Sequence, residues 1–171
     1  EWSEKMNLVA PSTLADIQTR HFADSAQLAN VLPGDASIID LGSGAGFPGV
    51  VLAILGYNVT CIESIGKKVA FLTEIKEKLG LSDLTIYHGR VEDFIAKTPV
   101  NAGKTVFTAR AFAPLIKILD YVAKTKCRLF LLKGREIESE INTAKTKYNF
   151  DYDLIKSETG DGFITIIQNI R

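Results

Sequence analysis

Short apolar runs alternate with amphipathic stretches along this chain. Five runs are typical of buried strands, and they span 38–41, 58–63, 84–88, 104–109 and 127–132. Apolar residues recur at helical spacing over about 13–32, 50–55, 66–79, 114–124 and 136–147. Strands that alternate with helices predict a parallel sheet covered on both faces. Two further predicted strands, near 150–157 and 163–170, complete an α/β fold with a seven-stranded, mostly parallel sheet.

The length of 171 residues fits one domain with a sizeable core. We divide that domain into an N-terminal helical segment, 1–34, and an α/β core, 35–171. We expect residues 1–11 to be the tail of an element whose first part lies outside this chain, so that the helical segment is truncated.

The predicted helix over 13–32 carries polar residues on the face that should pack. His21, Asp24 and Ser25 are spaced so that their side chains can contact one another. Two interpretations stay open. His21 is a core histidine with satisfied hydrogen bonds, or the end of this helix borders a ligand cleft.

A glycine-rich turn follows the first predicted strand. Asp40 precedes Gly42, Gly44 and Gly46, and residues 44–49 match the pattern G-x-G-x-x-G. Glycines let the backbone turn tightly and approach a ligand closely. The G-x-G-x-x-G match fits a dinucleotide site, whereas an acid followed by Gly-x-Gly-x-Gly is typical of S-adenosylmethionine sites. A merely tight turn is disfavoured, because each glycine loses backbone entropy on folding.

Polar residues also follow the other predicted strands. Glu63 lies 19 residues after Gly44, where a carboxylate can accept hydrogen bonds from ribose hydroxyls. Both nicotinamide dinucleotides and S-adenosylmethionine contain that ribose. An acid just past the third strand, in the segment 89–93, suits the exocyclic amine of an adenine, and Val91 can cover the ring. The carboxyl ends of parallel strands share one edge, so one cleft should collect Asp40, Glu63, His88, Arg110 and Lys133.

Composition narrows the function classes. Twenty basic residues balance 20 acidic ones, so any surface for nucleic acid must be local. Cys61 and Cys127 lie in apolar runs without metal or redox spacing, which predicts buried free thiols, a reducing compartment and no metal site. No apolar run approaches the ~20 residues of a membrane helix. The candidates for a local basic surface are Lys67, Lys68, Arg90, Arg110, Lys133 and Arg135.

Several motifs, in order, resemble those of a known family, the bacterial small-subunit ribosomal RNA methyltransferase G family. They cover most of residues 2–134. The most particular are the arginine-histidine motif, residues 20–25, and the strand-four motif, residues 109–113, whereas many methyltransferases share the glycine turn. The matching segments are Trp2 with Lys5-Met6-Asn7-Leu8, Arg20-His21-Phe22-Ala23-Asp24-Ser25, 41–49, 66–72, Gly89-Arg90-Val91-Glu92, Ala109-Arg110-Ala111-Phe112-Ala113 and Leu132-Lys133-Gly134.

The resemblance implies the Rossmann-like fold of class I S-adenosylmethionine-dependent methyltransferases, with S-adenosyl-L-methionine as cofactor. It implies N7-methylation of a guanine in 16S rRNA, in the cytoplasm, with the small ribosomal subunit or its assembly intermediate as partner. We expect a monomer and no membrane association. The predicted cofactor-binding residues are Gly42, Gly44, Gly46, Phe47, Glu63, Val91, Glu92 and Arg110. The substrate-binding candidates are Arg20, His21, Lys67, Lys68, Arg90 and Lys133, and Arg110 is the predicted catalytic residue, acting by positioning.

Two departures from the family pattern stand out. Thr108 replaces the usual serine, and residues 161–166 lack the family's Arg-His pair. The chain also lacks the Asn/Asp-Pro-Pro-Tyr run of amino-group methyltransferases and the Pro-Cys nucleophile of cytosine C5 enzymes. Guanine N7 has a lone pair and no proton, so positioning alone would suffice. Two alternatives stay open: an NAD(P)-dependent oxidoreductase and a non-catalytic RNA- or ribosome-binding module.

Overall fold

The structure, a computed structural model, describes residues 18–171, with side chains from residue 20 onward. The element expected at 1–11 and the beginning of the helix predicted over 13–32 lie outside the described residues. The seven strands are β1 (Ser37–Leu41), β2 (Asn58–Glu63), β3 (Leu84–His88), β4 (Thr105–Arg110), β5 (Arg128–Lys133), β6 (Asp151–Lys156) and β7 (Phe163–Gln168).

The strands form one sheet in the order β3-β2-β1-β4-β5-β7-β6. All neighbours from β3 to β5 pair in parallel, whereas β7 runs antiparallel to both β5 and β6. This order confirms the predicted seven-stranded, mostly parallel sheet. The carboxyl ends of β1, β2, β4 and β5 therefore meet at one edge.

The N-terminal helical segment, α1, covers 18–30 and differs from the regular helix that the sequence predicts. It is π-helical over Gln18–Ala23, α-helical over Asp24–Ala26 and 3-10 helical over Gln27–Asn30. The Ser25 hydroxyl donates a hydrogen bond to the carbonyl of His21 at 2.6 Å. Such a bond competes with the backbone ladder and often distorts a helix. The change of pitch leaves the side chains of His21, Ser25 and Leu28 all buried.

Five more helices connect the strands. Four lie close to the predicted positions, and the fifth, Val91–Lys97, is one that the sequence analysis did not predict. The helices predicted to end at 124 and 147 are shorter, and the first of them continues as a 3-10 turn, Ala123–Thr125. No helix among the described residues is long and apolar enough to cross a membrane. The five are α2 (Gly49–Ile54), α3 (Gly66–Leu79), α4 (Val91–Lys97), α5 (Leu115–Val122) and α6 (Ile137–Ala144).

Apolar layers cover both faces of the sheet. On one face, α4, α5 and α6 pack on alternate residues of the central strands, with Phe107 at the centre. On the other, α1, α2 and α3 pack on the intervening residues around Phe130. Burial on both faces explains why the central strands β1 and β5 are mostly apolar. Cys61 and Cys127 are buried free thiols, as predicted.

Candidate functional site

The turn after β1 needs glycine for two separate reasons. Gly42, Gly44 and Gly46 have φ angles of 64°, 56° and 90°, which side chains rarely permit. A Cβ on Gly42 would also lie 2.2 Å from Cδ2 of Phe112, and one on Gly46 would lie 2.5 Å from Cγ2 of Val50. At Gly44 the backbone angle alone demands glycine, since its Cβ would meet nothing closer than 3.8 Å.

Asp40 anchors this turn from inside the protein. Its fully buried carboxylate accepts hydrogen bonds from Thr108 Oγ1 at 2.9 Å and from the N–H of Gly49 at 3.2 Å. A Cβ on Gly49 would lie 2.6 Å from that carboxylate. Burial raises the pKa of Asp40 to about 6, although these hydrogen bonds oppose the shift. Asp40 thus ties the turn to β4, and Thr108 supplies the hydroxyl that a serine would also offer.

Glu63 anchors the turn from the end of β2. Its buried carboxylate accepts hydrogen bonds from the N–H of Gly44 at 2.8 Å and from the N–H of Ile65 at 2.9 Å, on separate oxygens. Each carboxylate oxygen retains a second lone pair. Glu63 can therefore hold the turn and still accept a hydrogen bond from a ligand.

A cavity of about 270 Å³ lies at the carboxyl ends of β1, β2 and β4. Glu63 provides a buried charged group, and Val91, Phe112 and Tyr121 provide apolar walls. Among the sequence-predicted site residues, this smaller cavity brings together Gly42, Glu63, Lys68, Arg90, Val91 and Glu92. The predicted cofactor-binding residues that do not line it are Gly44, Gly46, Phe47 and Arg110, and the substrate-binding candidates that do not line it are Arg20, His21, Lys67 and Lys133.

A second cavity of about 660 Å³ adjoins the first and shares Ala111 and Phe112 with it. Ala111 has a φ of 51°, a strained angle for a residue with a side chain. The larger cavity is also lined by α1, by the end of β5 and by the turn 157–162. Sequence-predicted residues on this cavity are Arg20, Arg110 and Lys133.

Residues of α1 hold the Arg110 side chain. Its Nη1 lies 2.7 Å from Nδ1 of His21, and its Nη2 donates to the carbonyl of Arg20 at 3.2 Å. Its Nε pairs with the carboxylate of Asp24 at 3.3 Å. Three residues of the arginine-histidine motif therefore meet the arginine of the strand-four motif.

His21 and Phe47 form an aromatic contact behind Arg110. The two rings stack with centroids 5.2 Å apart and planes at 26°, and Phe22 meets Phe47 edge-on at 5.1 Å. His21 is 8% exposed. Burial lowers the pKa of His21, and the charge of Arg110 lowers it further.

Asp24 joins α1 to the turn 157–162, a role that sequence analysis missed. Its Oδ1 accepts hydrogen bonds from Gln27 Nε2 at 2.7 Å, Thr159 Oγ1 at 2.9 Å and Ser157 Oγ at 3.3 Å. The side-chain amide of Gln27 also bonds Ser157 Oγ and the N–H of Glu158. The position of Asp24 in the arginine-histidine motif was the available signal, whereas nothing local marks Ser157 or Thr159 as its partners.

The other basic candidates occupy different environments. Lys133 donates to the carbonyl of Ala113 at 2.8 Å and pairs with Glu140 at 2.6 Å, while Glu140 also accepts from the N–H of Leu115. Lys133 thus fixes the segment after β4. Arg90 is exposed and pairs with Glu92 at 3.3 Å. Lys67 is exposed and lines neither cavity.

Comparisons with known proteins agree on one family. The family model for rRNA small subunit methyltransferase G, GidB, matches residues 1–159. "Ribosomal RNA small subunit methyltransferase G" of Hyphomonas neptunium is 43% identical, over 99% of this chain and 82% of that protein. The protein of the same name from Methylobacterium nodulans is 41% identical, over 92% of this chain and 77% of that protein.

Solved structures share the fold at low sequence identity. A SAM-dependent methyltransferase from Aquifex aeolicus has a TM-score of 0.65 at 14% identity, over 99% of this chain and 98% of that one. An rRNA methylase from Streptococcus thermophilus has a TM-score of 0.57 at 13% identity, over 85% and 93%. The fold, the ordered motifs and the matches to named relatives agree. They favour a methyltransferase over the NAD(P)-dependent oxidoreductase that the sequence left open. The chain belongs to the rRNA small subunit methyltransferase G family.

Proposed function

We propose that this protein transfers the methyl group of S-adenosylmethionine to N7 of a guanine in the 16S rRNA of the small ribosomal subunit. The observation that carries the proposal is the meeting of two cavities at Ala111 and Phe112. The smaller cavity would hold the methyl donor, and the larger would hold the accepting base. The names of the relatives supply the class of RNA.

The smaller cavity suits the adenosyl part of the donor. Glu63 offers carboxylate oxygens to ribose hydroxyls, and Val91 and Phe112 offer apolar surface to an adenine ring. Glu92, exposed at the rim, would accept from the exocyclic amine. Gly42, the residue of the glycine turn that lines this cavity, would contact the amino-acid end through its backbone. When bound, S-adenosylmethionine supplies an electrophilic methyl group on its sulfonium sulfur.

The larger cavity suits a single base withdrawn from RNA structure, since enzymes that modify bases commonly extrude the target nucleotide. Guanine N7 offers a lone pair directly, so the chain needs no general base. Its task is to align that lone pair with the donor, which positioning alone can accelerate strongly. Arg110 lines this cavity and can donate to guanine O6 or to a phosphate while leaving N7 open.

RNA binding would depend on a local basic surface, because the formal net charge is zero. Arg20, Lys68 and Arg90 border the two cavities, and Lys67 and Arg135 are exposed nearby in sequence. Each phosphate contact releases counterions, so methyl transfer should weaken as salt rises. We further propose that the protein acts as a monomer in the cytoplasm, where ribosomal RNA is made.

Methyl transfer to purified small-subunit RNA tests the proposal. Wild-type protein with methyl-labelled donor should label one guanosine of 16S rRNA, and nuclease digestion with mass spectrometry should identify it as N7-methylguanosine. Large-subunit RNA serves as the matched control. Label on another atom or base would contradict N7 transfer, and donor binding without transfer to RNA or to small subunits would favour the non-catalytic module.

A further inference from the structure

His21 contacts both sides of the cleft. Its ring stacks on Phe47, which directly follows Gly46 of the glycine turn, at 5.2 Å. Its Nδ1 lies 2.7 Å from Nη1 of Arg110, which lines the larger cavity. The imidazole is therefore a physical link between the turn beside the proposed donor site and the arginine beside the proposed acceptor site.

Only a neutral imidazole can make this link. A guanidinium has N–H donors and no acceptor, so Nδ1 of His21 must offer its lone pair to Arg110, and the ring proton must be on Nε2. A second proton would set two N–H groups against each other and place two positive charges within hydrogen-bond distance. The ring would then have to leave Arg110.

The surroundings keep the ring neutral near pH 7. Among the described residues, the charged groups that face it are Arg20 and Asp24 on α1 and Arg110 at the end of β4, and residues 42–49 contain no titratable side chain. Burial and the two arginines lower the pKa of His21 below 6.5, and Asp24 opposes them only in part.

We propose that His21 is a positioning residue for methyl transfer: its neutral ring holds the Arg110 guanidinium at the wall of the larger cavity and packs the glycine turn through Phe47. Protonation of the ring breaks the link and stops turnover. The inference rests on the proposed function. His21 itself moves no proton in the reaction, because guanine N7 has none to lose.

Two variants separate the two contacts. His21→Phe keeps a ring against Phe47 but removes the acceptor, so kcat should fall about tenfold to a hundredfold while donor affinity changes less than about twofold. His21→Asn keeps an acceptor near the position of Nδ1 but removes the ring, so donor affinity should fall about twofold to tenfold while kcat changes less. The matched control is His88→Asn, because His88 is the other histidine, is exposed and, contrary to the prediction from sequence, lines neither cavity.

The pH profile distinguishes positioning from a merely structural role. In wild-type protein, kcat should fall on the acid side with a midpoint below 6.5. An NMR titration of the His21 ring should give the same midpoint. The spectrum of His88→Asn, which retains only one histidine, identifies the His21 signal. The His21→Asn variant should lack that acid limb. Melting temperatures of all variants check that they are folded.

Defined results would overturn the inference. Wild-type kcat in His21→Phe, an unchanged acid limb in His21→Asn, or an NMR midpoint at or above 6.5 would each do so while the proposed function stands. If wild-type protein transferred no methyl group to RNA, the proposed function would fail instead. Calorimetry of donor binding would then still test whether His21 packs the glycine turn. Equal donor affinity in wild-type protein and His21→Asn would contradict that role.

Discussion

The carboxylate of Glu63 accepts a hydrogen bond of 2.8 Å from the backbone N–H of Gly44, which joins the end of β2 to the turn after β1. The sequence predicts a different use for the same group, as the acceptor for ribose hydroxyls. The carboxylate has lone pairs enough for both uses. Loss of Glu63 should therefore disturb donor binding twice, through a missing ligand contact and through a loosened turn.

Replacement of Glu63 by alanine should weaken donor binding by about 1–3 kcal/mol, the range for hydrogen bonds that involve a charged group. Glu63→Gln keeps one acceptor oxygen and should fall between alanine and wild type. Calorimetry with S-adenosylmethionine measures both, and the melting temperature controls for unfolding. Wild-type affinity in the alanine variant would exclude Glu63 from the donor site.

Replacement of Arg110 should stop methyl transfer without unfolding the protein. Arg110→Ala removes the guanidinium from the wall of the larger cavity. Arg110→Lys should restore little, because an ammonium lacks the planar fork that meets His21 and Asp24 and that we propose also meets the base. Transfer of labelled methyl to small-subunit RNA is the measurement. Arg171→Ala, at an exposed arginine at the far end of the described chain, is the matched control. Near-normal transfer by Arg110→Lys would reject the role of the fork.

The buried carboxyl of Asp40 should make stability depend on pH in a direction unusual for an aspartate. Its pKa is raised from 3.8 to about 6, so the folded state favours the protonated form. That contribution is fully present below about pH 4 and is lost as pH rises through about 6, which amounts to about 3 kcal/mol.

Asp40→Asn tests this dependence, because the amide is neutral and can donate to Thr108 while its oxygen accepts from Gly49. The stability of the variant relative to wild type should improve by up to about 3 kcal/mol between about pH 4 and about pH 8. Urea unfolding of both proteins at the same pH measures the difference in their free energies of unfolding. The titration of His21 affects both proteins equally and cancels in that difference. A difference that stays constant across this range would contradict the raised pKa.

Gly42 and Gly44 should respond differently to alanine. At Gly42 an alanine would have a strained positive φ, and its Cβ would clash with the ring of Phe112. We therefore expect Gly42→Ala to lower stability by about 1–3 kcal/mol and to weaken donor binding. At Gly44 only the backbone strain applies, for a loss of about 1 kcal/mol. Gly34→Ala, which meets nothing and has no positive φ, is the control. Equal losses at Gly42 and Gly44 would mean that Phe112 moves aside freely.

The sheet could be predicted because its central strands are buried on both faces. A run such as 128–133 needs only its apolar content and its length to be recognised as a strand. The pitch of α1 could not be predicted in the same way. It depends on which side chains of 18–30 are buried against partners more than 80 residues away, such as Arg110.

From the sequence, we could predict which site residues stand at the ends of strands, but not which side chains contact them. The sequence placed Arg110 and Lys133 at the cleft, but not the groups that hold them, because Glu140 and Asp24 approach from separate helices. Lys133 consequently supports the segment after β4 from within the protein, with its side chain only 10% exposed. Periodicity reports which face of an element is buried, and it carries no information about such pairings between elements.

The bond between Asp24 and Thr159 spans 135 residues of sequence and has a consequence for synthesis. One wall of the larger cavity belongs to the hairpin of β6 and β7, whereas every residue that lines the smaller cavity precedes residue 122. The ribosome therefore synthesises every residue that lines the smaller cavity before it synthesises the hairpin that closes one side of the larger cavity.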